Sequence, residues 1–215
     1  SGFKIAMRDL SIRGAGNILG ASQSGFIDSV GFEMYSQLLE EAINKRQGKT
    51  QVRRKGNSEF NLQIDAYLPS DYISDERQKI EIYKRIREIE NQKDYQYLQD
   101  ELIDRFGEYP DQVAYLIEIG LVKAYLDAAF AELVERKNDT IIVRFEKASL
   151  KFFLTQDYFE AISKTHLKAK ISDNQGKVEI TFDVRNKKDY EILEELKIFG
   201  QTFMEIKERK EKKEA

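Results

Sequence analysis

The sequence contains no cysteine and no tryptophan, only two prolines and a single histidine. Without cysteine there are no disulfides, no thiolate metal sites and no cysteine nucleophile. His166, being alone, cannot build a histidine cluster, and the spacing of the carboxylates suggests no metal cage that would replace one. Paired acid and base carboxylates of a hydrolase cannot be picked out either, because the acidic residues sit at helix starts and on mixed-charge faces. No apolar run approaches the roughly 20 residues that a membrane-spanning helix requires, and the opening lacks the basic-then-apolar profile of a secretory signal. The expectation is a cytoplasmic protein with no membrane partner. Neither sign of charge prevails: 35 Lys and Arg face 38 Asp and Glu, a net charge of −3, so the global basic field of many autonomous nucleic-acid-binding domains is missing.

What the chain does have is 34% charged and 41% hydrophobic residues, with 13 Phe and 11 Tyr in 215 positions. That balance fits a helix-rich globular protein able to bury a real core. Glycine is concentrated at the beginning: Gly2, Gly14, Gly16, Gly20, Gly25 and Gly31 are half of the 12. Such a stretch is built from turns and close backbone approaches. Phe32, Tyr35, Leu38, Leu39, Ala42 and Ile43 then recur at helical spacing, which predicts an amphipathic helix over residues 32–47 that stops at Gly48. Residues 45–55 carry Lys45, Arg46, Lys49, Arg53, Arg54 and Lys55 without an acid. This run is either a solvated linker or a strip that contacts phosphates.

Beyond this connector the spacing predicts a strand over residues 60–68, closed by Pro69, and a helix capped around Ser74-Asp75-Glu76 with Ile80, Tyr83, Ile86 and Ile89 as its apolar stripe. A second helix is expected from about Asp94 to Phe106, stopping at Gly107, and a third from Pro110-Asp111 to about Arg136. Residues 140–145 and 150–154 read as strands and residues 157–165 as a helix. Val178, Ile180, Phe182 and Val184 alternate with polar residues, and Asp173-Asn174-Gln175-Gly176 before them predicts a hairpin. Asn186 is the expected cap of a last helix carried by Tyr190, Leu193, Leu196, Phe199 and Phe203, after which residues 207–215 form a charged tail expected to fray. The fold class is therefore α/β (α+β). It comprises a glycine-rich hook and helix over 1–50, a basic linker over 51–57, a mixed domain over 58–206 with helices packed on a small, mainly antiparallel sheet, and the tail.

Gly48-Lys49-Thr50 is not a phosphate loop. The position five before Gly48 is Ile43 where that motif needs glycine, and a helix lies upstream where it needs a strand. The opening is more informative. Arg13 precedes the turn of Gly14-Ala15-Gly16, and Gln23 follows beside Gly25, so a planar charged fork and an amide stand on a segment able to bend. They suit contact with phosphates or a partner loop, or the arginine bridges the turn structurally. On the second helix, Glu101, Asp104 and Arg105 are spaced i, i+3, i+4 and share a face, with Leu98, Leu102 and Phe106 opposite. That face is an ordinary ion-paired surface or a contact surface.

The run DLSIRGAGNILGASQSGFIDSVGFEMYSQLLEEAI, at residues 9–43, resembles the translocation motif that closes the motor of bacterial transcription-repair coupling factors, and in part the related motif of the fork helicase RecG. YLPSDYISDERQKIEIYKRI and ELIDRFGEYPD resemble the C-terminal domain of the coupling factors, which RecG lacks. The resemblance is dense over residues 1–117 and looser beyond. It implies the end of an ATP-driven double-stranded DNA translocase that acts on stalled RNA polymerase and recruits UvrA. ATP and magnesium would belong to motor lobes outside this chain, which itself would need no cofactor and perform no catalysis. The resemblance further implies that Arg13 and Gln23, in their RGAG and QSG contexts, couple hydrolysis to DNA movement. It also implies that the C-terminal domain docks on the UvrB-like N-terminal module of the same protein, masking the UvrA site and restraining the motor, with Glu101, Asp104 and Arg105 in the contact. The competing reading, from the residues alone, is an autonomous nucleic-acid-binding module that uses Lys45, Arg46, Lys49, Arg53 and Arg54.

Overall fold

The computed structural model describes residues 58–214. The glycine-rich opening, the helix expected over 32–47 and the basic linker lie outside them. Two compact units divide the described chain, residues 63–120 in the first and residues 58–62 with 121–214 in the second.

The first unit opens with an extended stretch in which Ile64, Ala66 and Leu68 are buried and the residues between them are not. The period of two expected there is present, but strand pairing is confined to β1 (Glu59–Asn61), because Gln63 follows with φ 55° and turns the chain out of line. Tyr83 then ties the stretch to helix α1 (Glu76–Arg87): its phenol oxygen accepts the Leu68 N–H at 2.9 Å. Asp75 is the N-cap, accepting the Gln78 N–H, which satisfies a donor the helix start leaves orphaned. Ile82, Tyr83 and Ile86 are the buried residues of the helix, so Ile82 joins the stripe and Ile89 is buried just past the helix end. Helix α2 (Gln92–Phe106) follows, and α3 (Asp111–Ala128) starts as expected at Pro110, whose carbonyl accepts from Val113 and Ala114. Gly120 permits a close approach within this unit, since a Cβ there would lie 2.8 Å from the Ile86 side chain.

Residues 121–128 of α3 belong to the second unit, whose sheet comprises β1, β2 (Ala131–Lys137), β3 (Thr140–Phe145), β4 (Lys168–Asn174) and β5 (Lys177–Asp183). The order is β1-β2-β3-β5-β4, with β1 parallel to β2 and every other pair antiparallel. The sheet is thus mainly antiparallel, as the sequence predicts. The third helix ends eight residues earlier than its spacing suggests. Ala131-Glu132-Leu133-Val134-Glu135-Arg136 is locally compatible with helix, but Phe130 turns through φ 67° and the run pairs with β1 and β3 instead. Tertiary pairing overrides a weak local propensity.

The strand expected at 150–154 is also absent: a short 3-10 helix (Lys147–Lys151) stands there. Ser149 fixes it, its buried hydroxyl lying 3.0 Å from the Ala129 carbonyl oxygen and 2.6 Å from the Tyr158 hydroxyl. Helix α4 (Thr155–Ser163) follows, with Asp157 accepting the Leu154 N–H at its start. The β4–β5 hairpin is closed by Gln175 and Gly176, both at positive φ, as a two-residue turn requires. Asn186 does not cap the last helix. It turns at φ 61°, and α5 (Asp189–Glu214) begins after Lys188, whose N–H is taken by Glu191. Residues 207–214, expected to fray, continue α5: Lys210 pairs with Asp157, and Arg209 with Glu160 at 2.9 Å.

The core of this unit lies between the sheet and helices α4 and α5. Phe145, Phe153, Tyr158, Phe199 and Phe203 form a ring cluster with centroids 5.0–6.4 Å apart. Phe182 joins through Phe199. In one row across the strands, Leu133, Arg144, Glu179 and Ser172 stand side by side, and Glu179 accepts from both Arg144 Nε and Asn174 Nδ2 at 2.8 Å.

Candidate functional site

Helix α2 carries the three residues that the sequence places on one face. Its start is held by Asn91, which accepts the Asp94 N–H, while the Asp94 carboxylate reaches back to the Glu90 N–H at 3.0 Å. Its end is Gly107 at φ 83°, whose N–H bonds to Ile103. The Tyr72 hydroxyl lies 3.1 Å from the Leu102 carbonyl oxygen and 2.8 Å from that of Gly107, able to donate to either. Burial, reinforced by Tyr109, pushes this phenol up to about 12, so it remains a donor across the ordinary pH range. Leu98 and Leu102 are buried, and Phe106 is half-buried against Tyr72.

The three candidates differ in their contacts. Glu101 is taken by α1: it pairs with Arg85 in a short contact and with Arg105 at 3.2 Å. Arg105 also reaches Glu81 of α1 at 3.1 Å and lies over the Phe106 ring. Asp104 remains exposed, outside this clamp. The outward row of α2 is instead Lys93, Tyr97, Asp100 and Asp104, spaced i, i+4, i+7, i+11. Tyr97 is 69% exposed, and Ile103 beside the row is 45% exposed. Next to Tyr97 is a hollow of about 210 Å³ lined by Arg85, Glu88, Ile89, Asp94, Tyr97 and Leu98. Sequence reasoning missed Tyr97 and Ile103. The available signal was a large apolar body at an outward helical position, where a solvated face carries polar residues.

The translocation candidates Arg13, Gly14, Gly16, Gln23 and Gly25 and the phosphate candidates Lys45, Arg46, Lys49, Arg53 and Arg54 lie outside the described residues. His166 follows α4 with its ring exposed, Nδ1 being 3.0 Å from Glu195 while its N–H is donated to the same carboxylate. Among the described residues no three His, Cys, Asp or Glu side chains are grouped to hold a metal ion. No described helix is long and apolar enough to cross a membrane.

A family model described as the TRCF domain matches residues 62–155. The transcription-repair-coupling factor of Bacillus subtilis (strain 168) is 51% identical over 141 residues, covering 66% of this chain and 12% of that protein. That of Staphylococcus haemolyticus (strain JCSC1435) is 42% identical over 182 residues, covering 84% of this chain and 16% of that protein. The chain thus spans about a sixth or less of the length of these relatives. A crystal structure of the C-terminal domain of transcription-repair coupling factor shares the fold at TM-score 0.71 and 63% identity, covering 74% of this chain and 99% of that one. The agreement covers nearly the whole of that solved domain, so the chain belongs to the transcription-repair coupling factor family and carries its C-terminal domain.

Proposed function

We propose that this chain is a non-catalytic, regulatory and coupling segment of an ATP-driven DNA translocase in transcription-coupled repair. Residues 1–50 relay hydrolysis to DNA movement through Arg13 and Gln23, while ATP and magnesium occupy motor lobes outside the chain. RNA polymerase, UvrA and double-stranded DNA are partners of the whole protein. The described domain restrains it by docking on the UvrB-like N-terminal module and masking the UvrA site. The observation that supports the regulatory part is the outward face of α2, where an exposed tyrosine and isoleucine stand beside carboxylates.

The test is made in the full-length protein bearing Glu101→Ala, Asp104→Ala and Arg105→Ala together. UvrA is expected to bind this variant more tightly than the parent, and the purified 215-residue chain is expected to bind the N-terminal half of the protein saturably until UvrA displaces it. UvrA affinity equal to that of the parent, with the thermal midpoint unchanged, removes these three residues from the masking contact, and no binding of the purified chain to the N-terminal half defeats the masking role.

A further inference from the structure

We infer that Asp127 is a latch that fastens the incoming chain to the second unit, so that a pull from the residues upstream is borne by that unit and bypasses the first. The upstream residues are those that the proposed function gives to a DNA-moving motor. The use of the latch rests on that reading, whereas its existence rests on geometry alone.

Chain order sets the problem. Residues 58–62 belong to the second unit, residues 63–120 to the first, and the chain returns to the second at residue 121. The first unit is therefore an excursion that leaves the second and comes back to it. The last helix, α5, lies in the second unit as well, so a pull between residues 57 and 215 has both its points of entry there. Whether it reaches residues 63–120 depends on how firmly residues 58–62 are held before the chain departs.

They are held by two kinds of contact. Asp127, in the last turn of α3, receives the Ser58 backbone N–H at 3.0 Å and the Ser58 hydroxyl at 2.6 Å on the same oxygen, Oδ1. Its other oxygen accepts from Lys123 Nζ at 2.9 Å, one turn earlier on the helix. Ser58 is 2% exposed and Lys123 8%, so little water competes for these bonds, and hydrogen bonds to an ionised group are stronger than neutral ones. β1 follows at once, with Glu59 beside Leu133 and Asn61 beside Glu135. Phe60 and Leu62 are wholly buried, so the strand cannot leave without carrying both side chains into water. Gln63, at φ 55°, then turns the chain toward the first unit. A strand of three residues is short for its task. Asp127 secures the end of it at which the pull arrives.

Stretching the 215-residue chain in an optical trap tests this, with handles on Asn57→Cys and Ala215→Cys, since the chain has no cysteine of its own. With the latch intact, the second unit is expected to give way first, and residues 63–120 are expected to lengthen only afterwards. Asp127→Ala, checked by ellipticity for its fold, is expected to yield at lower force and to show a first step of about 200 Å, the extended length of residues 63–120. Ser58→Ala, which removes one of the two Ser58 bonds and leaves the carboxylate in place, should lower the force by less. A step of about 200 Å coming first in the unsubstituted chain overturns the latch. So does a yield force for Asp127→Ala equal to that of the parent. Loss of the motor reading would leave these forces as they are and remove only the source of the pull.

Discussion

In the first unit two tyrosines, Tyr72 and Tyr83, bond to the backbone, whereas in the second the rings pack on one another. Tyr83 receives the Leu68 N–H, and the Tyr72 hydroxyl is directed at the end of α2. Tyr158 and four phenylalanines of the second unit meet edge to face or tilted, and only Tyr158 adds a hydroxyl contact, with Ser149. Hydrogen bonds and ion pairs fix where an extended segment or a helix end lies, because they are directional. Ring burial fixes how much free energy holds the layers together, because it scales with area. The exposed row of α2 belongs to the unit arranged by polar contacts, so its geometry is set by a small number of specific bonds.

Substitutions can break that contrast. Phe203→Ala should have the largest effect, about 3–5 kcal/mol, since it removes a fully buried ring that four others touch. Urea unfolding followed by ellipticity measures it, and a loss under about 1 kcal/mol would show that the ring cluster is not the main support of its unit. Tyr83→Phe should come next, at about 1–3 kcal/mol, because it keeps the ring and strands the buried Leu68 N–H. Hydrogen exchange at that amide should accelerate as well.

The Glu179 effect is smaller and visible only with pH. The Asn174 and Arg144 hydrogen bonds hold this carboxyl below its ordinary value of 4.5. A lowered folded value means stability that is fully present above the unfolded value and lost as pH falls through the folded one. Glu179→Gln should therefore flatten the acid side of the stability profile and leave its slope near neutrality unaltered. The smallest effect belongs to the clamp: Arg105→Ala should cost about 0–1 kcal/mol, because its ion pairs are partly exposed. A cost above about 2 kcal/mol would mean that the first unit leans on its charges as heavily as the second leans on its rings.

The sequence makes the helices of the first unit legible because their ends are chemically marked: Asp75 caps α1, Gly107 stops α2 and Pro110 starts α3. The end of α3 has no such mark. Phe130 adopts a positive φ that glycine or asparagine would have signalled, and the following residues suit a helix until β3 pairs with them. Residues 150–154 misled for a similar reason, since the 3-10 turn depends on Ser149 finding Ala129 and Tyr158, contacts that no local pattern reveals. For the candidate site, the shared face of Glu101, Asp104 and Arg105 was readable from spacing alone. That Arg85 and Glu81 already occupy two of the three was not, because those partners lie on the preceding helix. Tyr97 lies off the Leu98 and Leu102 stripe, but spacing alone does not separate an aromatic that stays in water from one that a neighbouring element covers.

The end of α5 also has a mechanical meaning. Arg209 and Lys210 fasten its last turns to α4 through Glu160 and Asp157. A pull applied to the C-terminal end of the helix therefore loads these two pairs before it reaches Phe203 and the rings beyond. They act as a strain relief, like the clamp on a cable where it enters a housing: under tension the outer turns peel first and the packed centre keeps its shape.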